Sequence, residues 1–234
     1  MRLPGEQVRT VLLSYPRSGN TWLRYCIEFL TKCPSGFSAA KFPVGRVLGS
    51  FVDLGVDLKA GRIVRKEHST ESVAPDDRLL FILRDYKECL LSHRREHSNE
   101  SLDWLIDCNS SDRSSQNYSQ LIEFYDRFEG AKELLHYEDL IEDLEGCLRK
   151  SLAFLGYEDT FLAELLRDVD RHRRACLELY QVGMSGGQTT RFHARRMRPI
   201  SRRAWDEYLK RQYPELFARY LERYVEDASR SADS

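Results

Sequence analysis

The sequence predicts an α/β fold, a three-layer α/β/α sandwich with a mostly parallel central sheet, in a single domain over residues 1–234. Short apolar runs alternate along the chain with segments of helical periodicity, as in parallel sheets covered by helices. The run Leu79–Leu83 is uniformly apolar, which is typical of a central strand buried on both faces. A length of 234 residues favours one large domain over two small ones.

The first strand is predicted over Arg9–Tyr15, which is apolar and is followed by the turn residues Pro16–Gly19. Apolar residues then recur at three- and four-residue spacing from Thr21 to Leu30, so a helix follows, with Asn20 as its predicted cap. The chain therefore begins with a strand, a loop and a helix.

The later elements follow from the same patterns. Residues 31–61 carry repeated glycine and proline, which predict irregular structure around a site. Further strands are predicted at Arg62–Lys66, Leu79–Leu83 and Lys132–His136. Helices are predicted at 86–97, 115–129, 140–155 and 205–224.

Composition excludes several classes of protein. A net charge of −1 argues against general nucleic-acid binding, and no apolar run is long enough for a membrane span. The polar N-terminus does not resemble a signal peptide, so a cytoplasmic location is expected. The six cysteines are scattered without metal-ligand spacing, so we expect neither a disulfide framework nor a bound metal.

The segment Ser14–Trp22 has the context of a phosphate-binding loop. It lies between a strand and a helix N-terminus, where unpaired backbone N–H groups and the helix dipole favour anions. Its frame, SxxxxGNT, lacks the lysine of the GxxxxGK[ST] pattern, and the cation is Arg17 inside the loop. Because this lysine is missing, chemistry on a γ-phosphate with Mg²⁺ is less favoured. The alternative to a phosphate-binding loop is that the segment is a simple turn between a strand and a helix.

The letters SYPRSGNTWL resemble the YPKSGTTWL-type loop of sulfotransferases that use 3′-phosphoadenosine 5′-phosphosulfate (PAPS). The resemblance implies that Arg17 contacts the oxygen bridging sulfur and phosphorus and that Trp22 lies against the adenine. It also implies that the phosphate is wrapped by Ser18, Gly19, Asn20 and Thr21. The chain departs from the pattern in having Arg17 for lysine and Asn20 for threonine, and arginine presents a planar fork where lysine presents a point charge.

Two further blocks resemble the same family. The run LLFILRDYKECLLS resembles its 3′-phosphate motif, which implies that Arg84 and Ser92 bind the nucleotide's 3′-phosphate; a surface Arg84 paired with Asp85 is the alternative. The YEDL segment beginning at Tyr137 resembles a segment whose tyrosine lines the adenine pocket, and core packing is the alternative for this ring.

The match is poor at Gln181–His193, where the family has a loop with an Arg-Lys-Gly sequence over the nucleotide. Gln181 and Val182 replace the Arg-Lys pair, so only Gly183, with Gly186 as a second candidate, corresponds to the pattern. Arg191 is a candidate for the missing charge.

A histidine is the natural general base near neutral pH. His68 follows a predicted strand in the sequence Arg65-Lys66-Glu67-His68, which resembles the family's KTH motif. The resemblance implies that His68 deprotonates the acceptor while Lys66 and Arg17 stabilise the charge that develops on the sulfuryl and bridging oxygens. The predicted reaction is an in-line displacement without a metal ion.

The predicted function is transfer of a sulfuryl group from PAPS to a hydroxyl or amine of a small molecule or glycan, with release of 3′,5′-adenosine bisphosphate (PAP). Residues 31–61 and 93–118 are predicted to line the acceptor side, with candidate contacts at Phe37, Phe42, Phe51 and Trp104. The acceptor and the oligomeric state stay open. Two alternatives also remain, a P-loop kinase or NTPase and a non-catalytic nucleotide-binding protein of the same fold.

Overall fold

A computed structural model describes residues 10–37, 57, 62–93, 117–183 and 199–225, with backbone only at 37, 90–93, 179–183 and 199–202. Its described strands form a five-stranded sheet in the order β2-β3-β1-β4-β5, and every neighbouring pair is parallel. The strands are β1 Thr10–Ser14, β2 Gly36–Phe37, β3 Arg65–Glu67, β4 Arg78–Leu83 and β5 Lys132–His136.

The described helices alternate with these strands. They are α1 Asn20–Thr31, α2 Tyr86–His93, α3 Tyr118–Arg127, α4 Tyr137–Glu142, α5 Leu144–Leu155, α6 Leu162–Arg167, α7 Val169–Gly183 and α8 Pro199–Gln212. Three short turns follow α8, at Pro214–Leu216, Phe217–Leu221 and Glu222–Tyr224. No helix within the described ranges has both the length and the apolar character that crossing a membrane requires.

Side chains of the central strand alternate between two apolar cores, one on each face of the sheet. Leu12 packs with residues of α1, α5, α6 and α7. Val11 and Leu13 pack on the other face with residues of α2, α3, α8 and the C-terminal turns. Burying each of these two leucines contributes about 1.5–3 kcal/mol. The predicted three-layer α/β/α sandwich with a parallel sheet is confirmed.

The order of the strands reverses at β1, in the middle of the sheet. From β1 the chain runs to β2 and β3 on one side and then crosses to β4 and β5 on the other. In open α/β sheets, ligands bind at such a reversal, outside the carboxyl ends of the strands. Tyr15, His68, Arg84 and Tyr137 each follow directly after one of these strands.

Some predicted boundaries were wrong. The strand predicted at 62–66 is β3 Arg65–Glu67, because pairing with β1 begins only at Val11 and Arg65. Just before β3, the backbone bonds instead to the segment between α1 and β2, where Ile63 N donates to Pro34 O. A short strand, β2, also lies in the stretch predicted to be irregular.

Two predicted helices are each divided. The helix predicted at 140–155 is two, α4 and α5, because Asp143 leaves the helical conformation and its side chain caps α5 by accepting from Gly146 N. The helix predicted at 205–224 begins earlier, at Pro199, and is interrupted before Pro214. Proline lacks the N–H that a continuous helix requires. Of the helix predicted at 86–97, Tyr86–His93 is helical and 94–97 lie outside the described residues. The helix predicted at 115–129 is shorter among the described residues, covering Tyr118–Arg127 between the caps Asn117 and Phe128.

Candidate functional site

The loop between β1 and α1 has two residues in the left-handed region, Arg17 with φ 70° and Gly19 with φ 86°. Gly19 is the N-cap of α1, and Asn20 is already helical, so the prediction of Asn20 as the cap was wrong. The amide of Asn20 turns back to the strand and donates to Ser14 Oγ at 3.0 Å. The first N–H groups of α1 have no carbonyl partner inside the helix, as at any helix N-terminus.

Several buried polar atoms around this loop lack a hydrogen-bond partner. Among the described residues they include Ser18 Oγ, Asn20 Oδ1, Trp22 Nε1 and Arg84 Nε. Buried polar atoms are nearly always hydrogen-bonded in folded proteins, so such a group marks a place where a ligand or water completes the bonding. Three of these atoms can donate, which fits the phosphate or sulfonate oxygens of a nucleotide such as PAPS.

Arg84 connects the end of β4 to the loop. Its Nη1 donates to the carbonyl oxygen of Arg17 at 2.7 Å, and its guanidinium carbon lies 4.2 Å from the ring centre of Tyr137. Its own carbonyl accepts from Tyr118 Oη at 2.7 Å. Arg84 is therefore held against the loop and is not a surface residue paired with Asp85.

Asp85 bonds to α2 and α4 and not to Arg84, its partner in the alternative considered above. Its Oδ1 accepts from Lys87 N at 2.9 Å, so it caps the start of α2. Its backbone N donates to Glu138 Oε1 at 3.1 Å, which joins the end of β4 to the start of α4. Burial raises the pKa of Asp85 to about 6.

Tyr137 lies against the loop on the β5 side. A Cβ atom built on Gly19 would lie 2.7 Å from Cε2 of Tyr137, so this ring fills the space beside the glycine. Tyr137 also packs at the margin of the core on the α1 face. The ring therefore touches both the core and the predicted phosphate loop.

Lys66 lies on the α1 side of the sheet, and His68 is the first residue after β3. Lys66 is paired with Leu12 in the parallel register, so these two side chains are on the same face. His68 Nδ1 lies 2.7 Å from the carbonyl oxygen of Ser14, the residue at the start of the loop. Because a carbonyl only accepts, Nδ1 carries the proton, and in the neutral ring the lone pair is on Nε2.

The surroundings of Lys66 are cationic. Burial is the largest cause that lowers its pKa to about 7, followed by the charges of Arg24 and Arg17, while Glu67 acts in the opposite direction. Sequence reasoning missed Arg24, which is a buried residue of α1. The signal that could have revealed it is the four-residue spacing of Asn20, Arg24 and Glu28 within an otherwise apolar helix.

Trp22 lies where α1 meets α7. Its ring stacks on Tyr25 with centroids 5.6 Å apart, and the guanidinium carbon of Arg173 lies 5.9 Å from its ring centre. Next to it, the carbonyl oxygen of Thr21 accepts from Cys176 Sγ at 3.9 Å. The indole is thus part of a stacked aromatic group at the first turn after the loop.

The other predicted site residues are described only in part or lie outside the described residues. Ser92 is in α2, but its side chain is outside the described residues. Gly183 is the last residue of α7, so Gln181–Gly183 is helical and not a loop. The candidates Phe42, Phe51, Trp104, Gly186 and Arg191 lie outside the described residues, as does the side chain of Phe37.

Within the described ranges, no group of three or more His, Cys, Asp or Glu side chains is arranged to hold a metal ion. The cysteines described there are free thiols, at Cys26, Cys33, Cys89, Cys147 and Cys176. The site described above consists of backbone amides and of arginine, lysine, histidine, serine, asparagine and aromatic side chains.

No family model matches the sequence. A curated relative, a WSCD family member from Aedes aegypti, is 26% identical over 189 residues, which cover 70% of this chain. The chain spans 56% of the length of that relative.

Solved structures resemble the whole described fold. Mouse sulfotransferase SULT7A1, complexed with PAP, matches with a TM-score of 0.55 and 16% identity, covering 95% of each chain. A retinol dehydratase in complex with androsterone and the inactive cofactor PAP has a TM-score of 0.49 and 14% identity, covering 97% of this chain and 84% of the other. The parallel sheet, its strand order and the match to the mouse protein show that this chain has the sulfotransferase fold.

Proposed function

We propose that this chain is a PAPS-dependent sulfotransferase that transfers a sulfuryl group to a hydroxyl or amine acceptor. The observation that carries the proposal is the 2.7 Å contact between His68 Nδ1 and the carbonyl oxygen of Ser14. It brings the candidate base to the same edge of the sheet as the anion-binding loop. A base and an oxyanion site in one crevice are what group transfer to a hydroxyl requires.

The residues around the loop fit the donor. The 5′-phosphosulfate is assigned to Arg17, Ser18, Gly19, Asn20 and Thr21. The 3′-phosphate is assigned to Arg84 and Ser92, and the rest of the nucleotide to Trp22, Tyr137 and Gly183. When bound, PAPS supplies a sulfuryl group attached to a phosphate that leaves readily. The unpartnered buried atoms of Ser18 and Arg84 support the assignment of the two anionic groups, because each can donate to an oxyanion.

We assign roles to the proposed reacting side chains from their positions. His68 is fixed through Nδ1, so Nε2 is the atom that takes the proton of the acceptor. Lys66 is the cation nearest in sequence to the base, and Arg17 is the cation within the loop. Both stabilise negative charge on the sulfuryl and bridging oxygens. The left-handed conformation of Arg17 is supported by the bond from Arg84 to its carbonyl.

The proposal extends to the acceptor, the cellular location, the domain organisation and the donor. The acceptor is proposed to be a small molecule or glycan, the protein to act in the cytoplasm, and the whole of 1–234 to be one domain. PAPS is proposed as the donor with no metal requirement, because cationic side chains and helix N–H groups supply the positive charge at the loop.

Two rival functions use the same fold. A P-loop kinase or NTPase would use this strand, loop and helix, but the loop lacks the GK[ST] lysine that holds the terminal phosphates. A non-catalytic nucleotide-binding protein is suggested by the degenerate segment Gln181–Gly183, which is helical here.

Calorimetric titration and a turnover assay separate these functions. We expect PAP to bind without Mg²⁺, and binding of ATP alone that depends on Mg²⁺ would support the kinase or NTPase. We then expect PAP to be released from PAPS when a panel of phenols, sugars and amines is offered. Binding of PAP without any release across a broad panel would support the non-catalytic rival.

A further inference from the structure

Helix α1 carries a polar stripe on a buried face. Asn20, Arg24 and Glu28 follow one another at four-residue spacing, which places them on one side of the helix. Arg24 is only 7% exposed and Glu28 is fully buried. Burying a charged group is costly unless it is paired or bonded, so the environment of Arg24 needs an explanation.

A hydrogen bond to Ser35 holds Arg24: its Nε donates to Ser35 Oγ at 2.7 Å. Ser35 is itself fixed by Glu28, because both its backbone N, at 2.8 Å, and its hydroxyl donate to Glu28 Oε1. Within the described residues Arg24 forms no ion pair with a carboxylate, and its Nη2 is buried without any hydrogen-bond partner.

The nearby acid compensates this charge only in part. Burial raises the pKa of Glu28 to about 7, against the effect of its bonds from Ser35 and the charge of Arg24. Near neutral pH a substantial fraction of Glu28 is therefore protonated. The guanidinium of Arg24 keeps its charge under these conditions.

The charge of Arg24 acts on the reacting end of the site. Arg24 and Arg17 both lower the pKa of Lys66 by their charge. The acid next to Lys66 in sequence, Glu67, forms an ion pair with Arg65 at 3.1 Å, and these residues alternate with Lys66 along β3. Arg24 and Arg17 thus both lie close enough to Lys66 for their charges to act on it, and a bound anion would relieve this repulsion.

We propose that Arg24 is a third cation of the sulfuryl-transfer site and binds an oxygen of the sulfonate group of the donor through Nη2, beside Lys66 and Arg17. The inference rests on the proposed function and extends it, since the resemblance to known sulfotransferases assigned no role to this position. Ser35 and Glu28 are positioning residues that hold the guanidinium. A preorganised donor of this kind stabilises the transferring group without reorganisation during the reaction.

The donor and the product differ by the sulfuryl group alone, and this gives the test. Calorimetric titration with PAPS and with PAP, without acceptor, measures what the sulfuryl group adds to binding. We expect Arg24→Gln to weaken PAPS binding about tenfold, the loss of one charge-assisted hydrogen bond, while PAP binding changes less than about threefold. Arg24→Lys should recover part of the loss, because it keeps the charge. Arg127→Gln, at a side chain that is 79% exposed, is the matched control and should change neither.

The other outcomes are also decisive. If folded Arg24→Gln binds PAPS like the wild type, or loses PAP affinity by the same factor, the assignment to the sulfonate is overturned. If Arg24→Gln does not fold, Ser35→Ala keeps the arginine and releases its Nε, and it should weaken PAPS binding more than PAP binding. If Ser35→Ala and Arg24→Lys each change the affinity for PAPS by the same factor as the affinity for PAP, the assignment is then overturned.

Failure of the proposed function is distinguishable. A wild-type protein that binds neither PAP nor PAPS contradicts the proposed function itself. The anion site is then tested with inorganic sulfate at constant ionic strength, by the change in melting temperature relative to chloride. Sulfate should raise the melting temperature of the wild type more than that of Arg24→Gln, or more than that of Arg24→Lys if the glutamine variant does not fold. Equal increases in melting temperature would overturn the anion site as well.

Discussion

The ring of Tyr137 occupies the space beside Gly19, so that a Cβ atom at this glycine would lie 2.7 Å from Cε2 of the ring. Gly19 also has φ 86°, which residues with a side chain rarely adopt. The phosphate loop and the end of β5 are therefore fitted to each other at this point. The position requires glycine for two separate reasons, backbone conformation and the lack of room.

Gly19→Ala should therefore destabilise the fold more than a glycine replacement that has only a conformational cost. We expect a loss of about 2–4 kcal/mol in the free energy of unfolding, from left-handed strain of about 1–2 kcal/mol plus the contact with Tyr137. Gly156→Ala is the matched control, because Gly156 has φ 77° and nothing within 4 Å of its Cβ position. Equal losses in urea unfolding of the two variants would contradict the steric argument.

Arg84→Ala should weaken PAP binding strongly. The change removes the bond to the carbonyl of Arg17, which supports the loop, and the guanidinium assigned to the 3′-phosphate. We expect a loss of affinity of about tenfold to a hundredfold by calorimetric titration, the range for charge-assisted hydrogen bonds. The control is Arg149→Ala, an exposed residue of α5 whose removal should leave the affinity unchanged. An affinity unaltered in Arg84→Ala would contradict both roles.

His68→Asn separates the hydrogen bond of this residue from its proposed role as a base. The asparagine amide can still donate to the carbonyl of Ser14, but it cannot take a proton near neutral pH. We expect the rate of sulfuryl transfer to fall about 10²- to 10⁴-fold with PAP affinity nearly unchanged. A variant that transfers at the wild-type rate, or that loses PAP affinity as severely as rate, would refute the assignment.

Lys66 should give stability a measurable pH dependence. Its pKa is lowered from 10.5 to about 7 by burial and by Arg24 and Arg17, with Glu67 opposing them. Between about pH 7 and 10.5 the unfolded chain binds a proton at Lys66 that the folded chain does not, so stability rises with pH there. Lys66→Met removes this rise, and its stability advantage over the wild type should be greatest below pH 7 and shrink toward pH 10.5. Urea unfolding from pH 6 to 9 measures this, and a constant difference would contradict it.

A buried ion pair joins α2 to α8. Lys87 Nζ lies 3.2 Å from Asp206 Oδ1, and Lys87 is fully buried. The hydroxyl of Tyr86 donates to the same carboxylate oxygen. Asp206→Asn leaves the ammonium without its counter-charge, and we expect a loss of about 3–5 kcal/mol in urea unfolding. Removing Arg149 from its exposed pair with Glu145 should cost no more than about 1 kcal/mol, and similar losses for both would contradict this.

The fold and the outline of the site were predictable because their signals are local. The central strands are apolar runs, and the loop, His68, Arg84 and Tyr137 each follow such a run directly. In a parallel sheet the carboxyl ends meet at one edge, so order along the chain was enough to bring these residues together. The interruption before Pro214 also had a local signal, the proline itself, whereas the cap at Asp143 lies within a stretch that keeps helical periodicity.

The contacts that hold the site were not predictable, because they join residues far apart in sequence. Arg84 bonds to the carbonyl of Arg17, 67 residues away, and Arg24 bonds to Ser35 across the end of α1. Spacing along α1 places Arg24 on the face of Asn20 and Glu28, but the partner of its guanidinium depends on how β2 and β3 pair. Parallel strands are joined by long crossover connections, so a local pattern does not show which two strands pair.

The alignment of β3 with β1 decides which side chains of β3 face α1. Only three residue pairs, from Val11 with Arg65 to Leu13 with Glu67, hold the two strands in step. A slip by a single residue would exchange the two faces of β3 and turn Glu67 and Arg65 toward α1 in place of Lys66. On the opposite face, Arg65 is bound to Asp77 at 3.3 Å. This ion pair lies on the face of the sheet opposite Lys66, yet it acts against the slip and so keeps Lys66 in the place proposed for it beside the loop.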